Sequence, residues 1–310
     1  MRMRKLGGTG LEVAPLVLGG NVFGWTTDKE TSFALLDAFL AAGFNAIDTA
    51  DVYSIFVPGH VGGESERVMG EWIKDRGVRD RVVIITKGGL PMGEGMQGLG
   101  KDYLARACDA SLKRLQTDYI DVYMSHRADP TVPIGETLEC FQSLIEAGKI
   151  RSAGCSNYTA DELGEALTAA GNGRARYEVV QPHYNLAGRG EYEGPLEDLC
   201  VANQLGVISY FSLGAGFLTG KYRSKADFEG KARASSASAY FNDANMALLG
   251  RLEAVATRHG ATMAQVALAW LMARPSVTAP IASATSLAQL ADILKSADLE
   301  LTSDDLVEIG

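Results

Sequence analysis

Eight short apolar runs alternate with longer segments of helical periodicity along this chain of 310 residues. Runs such as RVVIIT lack the alternation of a half-exposed strand, and they are typical of strands that are buried on both faces. Strands that alternate with helices form parallel sheets, and eight such units close into a barrel. The predicted strands are LVLGG (16–20), NAID (45–48), RVVIIT (81–86), YIDVYMS (119–125), IRSAGCS (150–156), EVVQ (178–181), VISYF (207–211) and TAPIA (278–282). We therefore predict an α/β fold, a (β/α)8 barrel.

An open, doubly wound sheet is the alternative architecture for the same alternation. Such a sheet normally carries a glycine-rich turn directly after its first strand. The glycine pair at 19–20 and the GEGMQG piece within 93–100 are weak matches, and the second follows the third predicted strand. The barrel is therefore the preferred prediction.

Two segments depart from the repeating pattern. Residues 1–15 predict a β-hairpin, because the runs RMRKL and LEVAP flank the turn residues 7–10. Residues 221–241 predict a long irregular loop after the seventh strand, and loops of this length are usually functional. Since no Pro/Gly/Ser-rich linker divides the chain, we expect one domain over 1–310.

Some of the helices carry clear local signals. The segment 101–115 places its apolar residues on one stripe, as an amphipathic helix does. Thr27 with Glu30, and Thr159 with Glu162, have the spacing of capping boxes at helix starts. We expect helices to begin at both places.

Composition and charge exclude several classes of protein. The formal net charge is −9, which argues against nucleic-acid binding. The longest apolar run, 266–273, is too short for a membrane span, and no apolar stretch follows the basic N-terminus as in an export signal. The cysteines form no CxxC pair, so we expect no metal site, reduced thiols and a cytoplasmic location. They are Cys108, Cys140, Cys155 and Cys200.

Four polar residues lie at or just after the ends of successive predicted strands: Asp48, Tyr53, Lys87 and His126. In a barrel these strand ends meet at one face, where active sites form. A hydride that attacks a carbonyl carbon leaves negative charge on oxygen, which a proton donor must stabilise. We predict that Tyr53 donates this proton, and that Lys87 lowers its pKa.

The two remaining residues have supporting roles in this interpretation. Asp48 would keep the Lys87 ammonium charged, and His126 would hydrogen-bond the substrate oxygen or relay the proton. Taken singly, a strand-end tyrosine is more often a packed side chain, whereas for His126 alone the catalytic and the core interpretations both stay open. The combination of all four within DTADVY, ITKGG and MSHRADP favours the catalytic interpretation.

The chain resembles the aldo-keto reductase superfamily over essentially its full length. The matching pieces are FNAIDTADVY (44–53), IITKGG (84–89), DYIDVYMSHRADP (118–130), GKIRSAGCSNY (148–158), VVQPHYN (179–185), ISYFSLGAGFLTGKY (208–222) and PIASATSLAQL (280–290). The resemblance implies a TIM barrel with an N-terminal β-hairpin cap. It also implies a nicotinamide cofactor bound without a Rossmann motif, and it gives the four strand-end residues the roles described above.

The resemblance further implies a cofactor site. Ser156, Asn157 and Gln181 match residues that hydrogen-bond the nicotinamide carboxamide, and Tyr210 matches the aromatic residue that stacks on the nicotinamide. The remaining positions match the loop over the pyrophosphate and the segment near the adenosine phosphate. They are Leu213, Gly214, Gly216, Lys221, Ser283, Thr285 and Gln289.

The last of these segments lacks the basic residue that relatives often place near Thr285 or Gln289 to hold the 2′-phosphate. The three hydroxyls of 283–286, or an arginine of the long loop (Arg223 or Arg233), are the alternatives. The resemblance favours NADP(H) as cofactor and leaves NAD(H) open.

The substrate side is predicted more coarsely. Trp25, Phe56 and Arg127 are expected to line the pocket, where Arg127 either contacts a polar or anionic substrate group or forms a structural ion pair. His183 is expected to be structural.

On this basis we predict the reversible reduction of an aldehyde or ketone to an alcohol. The substrate is expected to be a small molecule, and we expect no nucleic-acid or membrane partner. The alternatives are a nicotinamide-binding redox sensor or accessory protein with little turnover, and a Schiff-base lyase that uses Lys87. The oligomeric state stays open.

Overall fold

Eight parallel strands close into a barrel in the computed structural model, which describes residues 1–231 and 233–310. The last barrel strand pairs with the first, and each of the others pairs with its neighbours along the chain. In chain order the barrel strands are β3 (Val17–Gly19), β4 (Ala46–Asp48), β5 (Val83–Gly88), β6 (Ile120–Ser125), β7 (Ile150–Ser156), β8 (Tyr177–Gln181), β9 (Gly206–Ser209) and β10 (Ala279–Ala282). The predicted (β/α)8 barrel is confirmed, with strand ends that differ by a few residues.

Helices surround the barrel and connect its strands. They are α1 (Lys29–Ala41), α2 (Glu64–Arg76), α3 (Lys101–Leu115), α4 (Ile134–Glu146), α5 (Ala160–Ala169), α6 (Pro195–Ala202), α7 (Ala234–Ser238), α8 (Asp243–His259), α9 (Met263–Ala273), α10 (Leu287–Leu294) and α11 (Ser303–Ile309). Within the ranges that the structure describes, none of these helices is both long enough and apolar enough to cross a membrane.

Alternating strand residues fill the barrel interior. Val83 and Ile85 of β5 pack with Val122 and Met124 of β6 in a fully apolar cluster, while the intervening Ile84 belongs to the layer between strands and helices. This alternation is what a closed parallel barrel requires, because successive side chains of a strand point to opposite faces. The interior is therefore a packed core, and only the ends of the barrel can hold a ligand.

The N-terminal hairpin, predicted over residues 1–15, covers the bottom of the barrel. Its strands β1 (Arg4–Lys5) and β2 (Glu12–Val13) pair in antiparallel fashion, and Leu6 and Val13 join the interior cluster. Gly7 has a φ of +55°, and a Cβ there would lie 2.3 Å from the carbonyl oxygen of Glu178. The turn can therefore approach the start of β8 only because residue 7 is glycine.

The two predicted capping boxes have different outcomes. Thr159 and Glu162 form the reciprocal hydrogen bonds of a capping box at the start of α5, as expected. The box predicted for Thr27 and Glu30 is wrong, because Asp28 is the N-cap residue of α1. The Thr27 hydroxyl instead donates to the carbonyl of Val22 at 3.0 Å.

The segment 221–241 was predicted as an irregular loop and is partly ordered into helical turns. It contains a 3-10 turn at Lys225–Phe228 and the short helix α7. The rings of Tyr222 and Phe228 stack at 4.5 Å, and Phe241 contacts Phe228 edge-on. These aromatic contacts give the segment a small core of its own, which its polar composition does not reveal.

Two helix glycines provide a paired test of this packing. A Cβ on Gly70 of α2 would lie 2.1 Å from the Arg114 carbonyl oxygen at the end of α3, whereas a Cβ on Gly250 of α8 meets nothing within 4 Å. We expect Gly70→Ala to lower the free energy of unfolding by about 1–3 kcal/mol, since the two helices must separate. Gly250→Ala should raise it by about 0.5–1 kcal/mol, because alanine is the better helix former. Urea titrations measure both, and a Gly70→Ala variant as stable as wild type would contradict this packing.

Candidate functional site

A cavity of 690 Å³ opens at the C-terminal ends of the barrel strands. Most of the predicted site residues line it: Asp48, Tyr53, His126, Arg127, Ser156, Asn157, Gln181, Tyr210, Leu213, Gly216, Lys221, Ser283, Thr285 and Gln289. The volume is in the range of sites that enclose a cofactor or another small molecule. Lys87 lies directly behind this wall, since it is fully buried and bonds to Asp48 and Tyr53 of the lining.

The Lys87 ammonium is the centre of a tight polar group. Its Nζ donates to Asp48 Oδ2 at 2.9 Å, to the Thr49 carbonyl at 2.7 Å and to the Tyr53 hydroxyl at 3.0 Å. The Tyr53 hydroxyl lies 3.2 Å from Asp48 Oδ2, to which it donates. Asp48 ends β4 and Lys87 is on the adjacent β5, so the parallel pairing of these strands brings the two charges together. The predicted contact of carboxylate, ammonium and phenol is present.

The predicted effect on the Tyr53 pKa is wrong in sign. Burial raises the pKa of this phenol well above its ordinary value, and the nearby Asp48 carboxylate raises it further. The charge of Arg233 opposes this rise, but burial and Asp48 outweigh it. Burial also lowers the pKa of Lys87, while the attraction of Asp48 opposes that change. Tyr53 is therefore a protonated phenol at neutral pH, which is the form that a proton donor needs.

His126 faces the same cavity as a neutral imidazole. Burial lowers its pKa well below the ordinary value, and the charges of Lys87 and Arg127 lower it further. Its ring lies edge-on to that of Tyr53, with centroids 6.2 Å apart. Its buried Nδ1 has no hydrogen-bond partner among the described residues. A neutral imidazole beside a phenol can hold a polarised carbonyl oxygen without adding a charge.

The residues matched to the nicotinamide carboxamide are bonded to one another and to the catalytic group. Gln181 Nε2 donates to Asp48 Oδ1 at 2.7 Å, and the Ser156 hydroxyl donates to the Gln181 carbonyl at 2.9 Å. Asn157, with a φ of +56°, donates from its amide to the His126 carbonyl at 2.9 Å. These bonds fix the amide side chains at the catalytic end of the cavity, as nicotinamide binding requires.

Two contacts fix the side chain of Tyr210, one to its hydroxyl and one to the face of its ring. Its hydroxyl donates to Asn157 Oδ1 at 2.6 Å, and its ring stacks on that of His183 with centroids 5.4 Å apart. His183 in turn bonds to the Tyr240 hydroxyl at 2.5 Å and to Glu191 at 3.1 Å. It does not line the cavity, so His183 supports Tyr210, as a structural residue would.

The loop after β9 forms a backbone cradle on the cavity wall. Gly214, Ala215 and Gly216 all have positive φ values, from 54° to 95°. A Cβ on Gly216 would lie 2.8 Å from the Lys221 ammonium, which therefore lies over this turn. The predicted Gly214 is buried within this turn and is not part of the lining, which Ala215 and Gly216 do contribute to. Backbone that lines a cavity with a lysine above it suits a pyrophosphate.

A second cation at this wall is Arg233, which the sequence suggested only as an alternative partner of the 2′-phosphate. Arg233, from the segment after the cradle, lines the cavity, and its Nη2 is buried without a partner among the described residues. Arg233 and Lys231 both lower the pKa of Lys221, after the effect of burial, so the three positive charges lie near one another. A group of cations that pairs with no carboxylate of the described residues fits the phosphates of a dinucleotide.

The far end of the cavity follows the pattern less closely. The Ser283 hydroxyl donates to Asn21 Oδ1 at 2.6 Å, and Thr285 donates to Gln289 Oε1 through its hydroxyl at 3.0 Å. Asp292, which the sequence gave no reason to select, lines this end and accepts from Thr262 and Gln265. No lysine or arginine of the described lining lies on the segment 281–293.

Two of the three predicted substrate residues lie outside the cavity lining. The rings of Trp25 and Phe56 contact each other edge-on at 4.9 Å, and Phe56 is 62% exposed. The Arg233 guanidinium lies 5.9 Å from the centre of the Trp25 ring. Arg127 does line the cavity, and no carboxylate of the described residues pairs with it. The structure therefore gives no support to the ion-pair alternative for Arg127.

Asp51 is a buried acid behind the site that the sequence reasoning did not identify. It is 1% exposed, and its Oδ1 has no partner among the described residues. Burial, followed by the charge of Glu66, raises its pKa to about 8. Its only sequence signal is its place in DTADVY, two residues before Tyr53.

The raised pKa of Asp51 makes the stability of the fold depend on pH. Between the unfolded pKa of about 3.9 and the folded value, the folded protein holds a proton that the unfolded chain releases, so stability decreases as pH rises, by at most about 1.4 kcal/mol per pH unit. Asparagine has the same shape and does not titrate. We expect Asp51→Asn to match wild type near pH 4 or below, and to become progressively more stable than wild type from there up to pH 8. Denaturant titrations at several pH values measure the difference, and a difference independent of pH would contradict the assignment.

The comparison with known proteins agrees with this geometry. A family model described as the Aldo/keto reductase family matches residues 15–310. This chain belongs to that family. The resemblance inferred from the seven motifs is thereby confirmed, and members of the family are oxidoreductases of carbonyl compounds that generally use NAD(P)H.

Relatives of this aldo-keto reductase align over almost their whole length. The Aldo-keto reductase YhdN of Bacillus subtilis (strain 168) is 32% identical over 100% of this chain and 93% of its own. A Probable voltage-gated potassium channel subunit beta of Oryza sativa subsp. japonica is 33% identical over 96% of this chain and 92% of its own. Protein tas of Escherichia coli (strain K12) is 30% identical over 100% and 96%.

Proposed function

We propose that this aldo-keto reductase reduces an aldehyde or ketone to an alcohol, reversibly, with Tyr53 as the proton donor. The observation that carries the proposal is the position of the Tyr53 hydroxyl, on the wall of the cavity and 3.0 Å from a buried ammonium. The bound nicotinamide would supply the hydride. A carbonyl oxygen that gains negative charge is a much stronger base than a phenolate, so a phenol with a raised pKa still gives up its proton.

The other site residues prepare this proton transfer. Asp48 and Lys87 orient the phenol, and their charges cancel, so the pair adds no net charge behind the reacting oxygen. His126 hydrogen-bonds the substrate oxygen as a neutral group. Ser156, Asn157 and Gln181 would hold the nicotinamide carboxamide, while Tyr210 would stack on the ring. The side chains proposed to contact the nicotinamide, Ser156, Asn157, Gln181 and Tyr210, are held by hydrogen bonds to their neighbours.

An assay tests the proposal directly. Purified protein is mixed with NADPH or NADH and a panel of aldehydes and ketones, and the loss of reduced-cofactor absorbance is followed. Turnover with an alcohol product supports the proposal. Tight cofactor binding without turnover on a broad panel would favour the alternative of a nicotinamide-binding sensor or accessory protein. Relatives named as potassium channel subunits beta are the observation that favours that alternative.

The lyase alternative has less support from the geometry. A Schiff base requires the Lys87 ammonium to lose its proton and reach the substrate carbon. Lys87 is 0% exposed and donates to three acceptors, with Tyr53 between it and the cavity. Borohydride trapping of an adduct on Lys87 would reverse this judgement.

The choice between NADP(H) and NAD(H) depends on the far end of the cavity. The described lining of 281–293 holds Asp292 and no cation, so we expect only a weak preference between the two cofactors. The affinity for NADPH should exceed that for NADH by at most about tenfold. Gln289→Arg should supply the missing partner for the 2′-phosphate and create a clear preference for NADPH. Titrations that follow tryptophan fluorescence measure both affinities.

A wild-type preference for NADPH of a hundredfold or more would contradict this expectation. It would place Lys221 or Arg233 on the 2′-phosphate instead of the pyrophosphate. Arg233→Met separates these cases, because loss of a pyrophosphate contact weakens both cofactors equally and loss of a 2′-phosphate contact weakens NADPH alone.

A further inference from the structure

The described wall of the cavity carries more basic than acidic side chains. Of the two acidic residues in the described lining, Asp48 is neutralised by Lys87, and Asp292 lies at the far end, where it accepts two hydrogen bonds. The basic residues in the lining are Arg127, Lys221 and Arg233. The cavity is therefore positive in a chain whose net charge is −9. Such a field attracts anionic ligands selectively.

Two of the three cations are accounted for by the proposed cofactor. Lys221 lies over the glycine cradle, and Arg233 is close enough to lower its pKa. Both belong to the segment after β9. Arg127 comes from the loop after β6, and it has no part in that cluster. One positive charge at the catalytic end is thus left without an assigned partner.

Arg127 lies next to the reaction centre. It directly follows His126, and its side chain is exposed to the cavity. Its charge contributes to the lowered pKa of His126 and opposes the rise in the pKa of Tyr210, which places it near both groups. Many arginines of the chain pair with carboxylates, such as Arg79 with Asp121 at 2.8 Å. Arg127 has no such partner among the described residues.

The same mouth of the cavity has apolar surface. Leu90 and Phe211 both line it, and the Phe211 ring is 39% exposed. Phe211 directly follows Tyr210, whose hydroxyl bonds to Asn157 at the catalytic end. A ligand in this part of the cavity can therefore contact apolar side chains as well as Arg127.

We propose that Arg127 binds the carboxylate of an acidic carbonyl substrate, an aldehyde or ketone whose carbonyl is separated from a carboxylate by a short apolar spacer. The proposal rests on the proposed function. His126 and Tyr53 hold the carbonyl oxygen, Leu90 and Phe211 contact the spacer, and the guanidinium forms charge-assisted hydrogen bonds to the carboxylate.

A matched pair of substrates tests the proposal. 4-Carboxybenzaldehyde and its methyl ester have the same ring and the same reacting group, and they differ in charge. We expect wild type to show a lower KM for the acid than for the ester. Arg127→Gln should raise the ratio of the KM for the acid to the KM for the ester about tenfold or more. Arg127→Lys should restore part of the preference, and added salt should reduce it.

Two results would overturn the proposal: equal KM values for acid and ester in wild type, or an equal loss for both in Arg127→Gln. Failure of the proposed function is a separate outcome, in which wild type reduces neither aldehyde. Binding then decides the matter, by calorimetry of 4-(hydroxymethyl)benzoate and its methyl ester with the cofactor-loaded protein. Tighter binding of the acid that disappears in Arg127→Gln supports the anion site, and equal binding of the two compounds overturns it.

Discussion

Tyr53→Phe should lose carbonyl reduction by a factor of about 10²–10⁴ while its affinity for the reduced cofactor stays that of wild type. The substitution removes one hydroxyl and keeps the ring, so the cavity wall keeps its shape. General acid catalysis by a positioned side chain contributes roughly this factor. Steady-state kinetics with a simple aldehyde measure the loss, and a fluorescence titration measures cofactor binding.

The control for this variant is Tyr119→Phe. Tyr119 precedes β6 at the opposite end of the barrel, where its ring contacts the guanidinium groups of Arg79 and Arg151. Loss of its hydroxyl should leave both rate and binding unchanged. If Tyr53→Phe retained more than about a tenth of the wild-type kcat/KM, the proton would have to come from another group, and His126 would be the first to test.

Lys87→Met should abolish activity and also destabilise the fold by about 3–5 kcal/mol. The loss of the ammonium leaves the Asp48 carboxylate buried at 2% exposure, with hydrogen bonds from Gln181 and Tyr53 but no opposite charge. The phenol also loses the donor that orients it. Urea denaturation measures the stability, and the aldehyde assay measures the activity.

The double variant Asp48→Asn/Lys87→Met separates the two effects. Replacement of both members of a buried ion pair by neutral groups is often close to neutral for stability. We therefore expect the double variant to recover most of the lost stability and none of the activity. A double variant less stable than Lys87→Met alone would show that the ion pair itself, and not the unpaired carboxylate, dominates the free energy of unfolding.

The barrel and the catalytic group could be predicted because their signals are local. Each strand shows its two-sided burial in its own residues, as RVVIIT does, and each strand end carries its own polar residue. Once eight strands are placed in a barrel, Asp48, Lys87 and His126 must meet at one face. No long-range contact had to be known in advance.

The parts that were missed depend on contacts between distant segments. Helix α11 has only seven residues, and it is stabilised by a capping box between Thr302 and Asp305. Asp305 also binds Arg258 and His259 of α8. Likewise, the raised pKa of Tyr53 follows from its burial and from the Asp48 carboxylate, whose effects outweigh that of the Arg233 guanidinium. Trp25 and Phe56 contact each other rather than the cavity, because the loops that carry them pair their rings.

The central claim is that a hydride passes from the cofactor to a carbonyl carbon while Tyr53 supplies the proton. Reduced cofactor deuterated at the transferable C4 position tests it most directly, with the alcohol product examined by mass spectrometry. The account predicts one deuterium on the carbinol carbon of the product from wild type, and almost no labelled product from Tyr53→Phe under the same conditions. An alcohol without deuterium, or labelled product formed equally fast by both proteins, would contradict it.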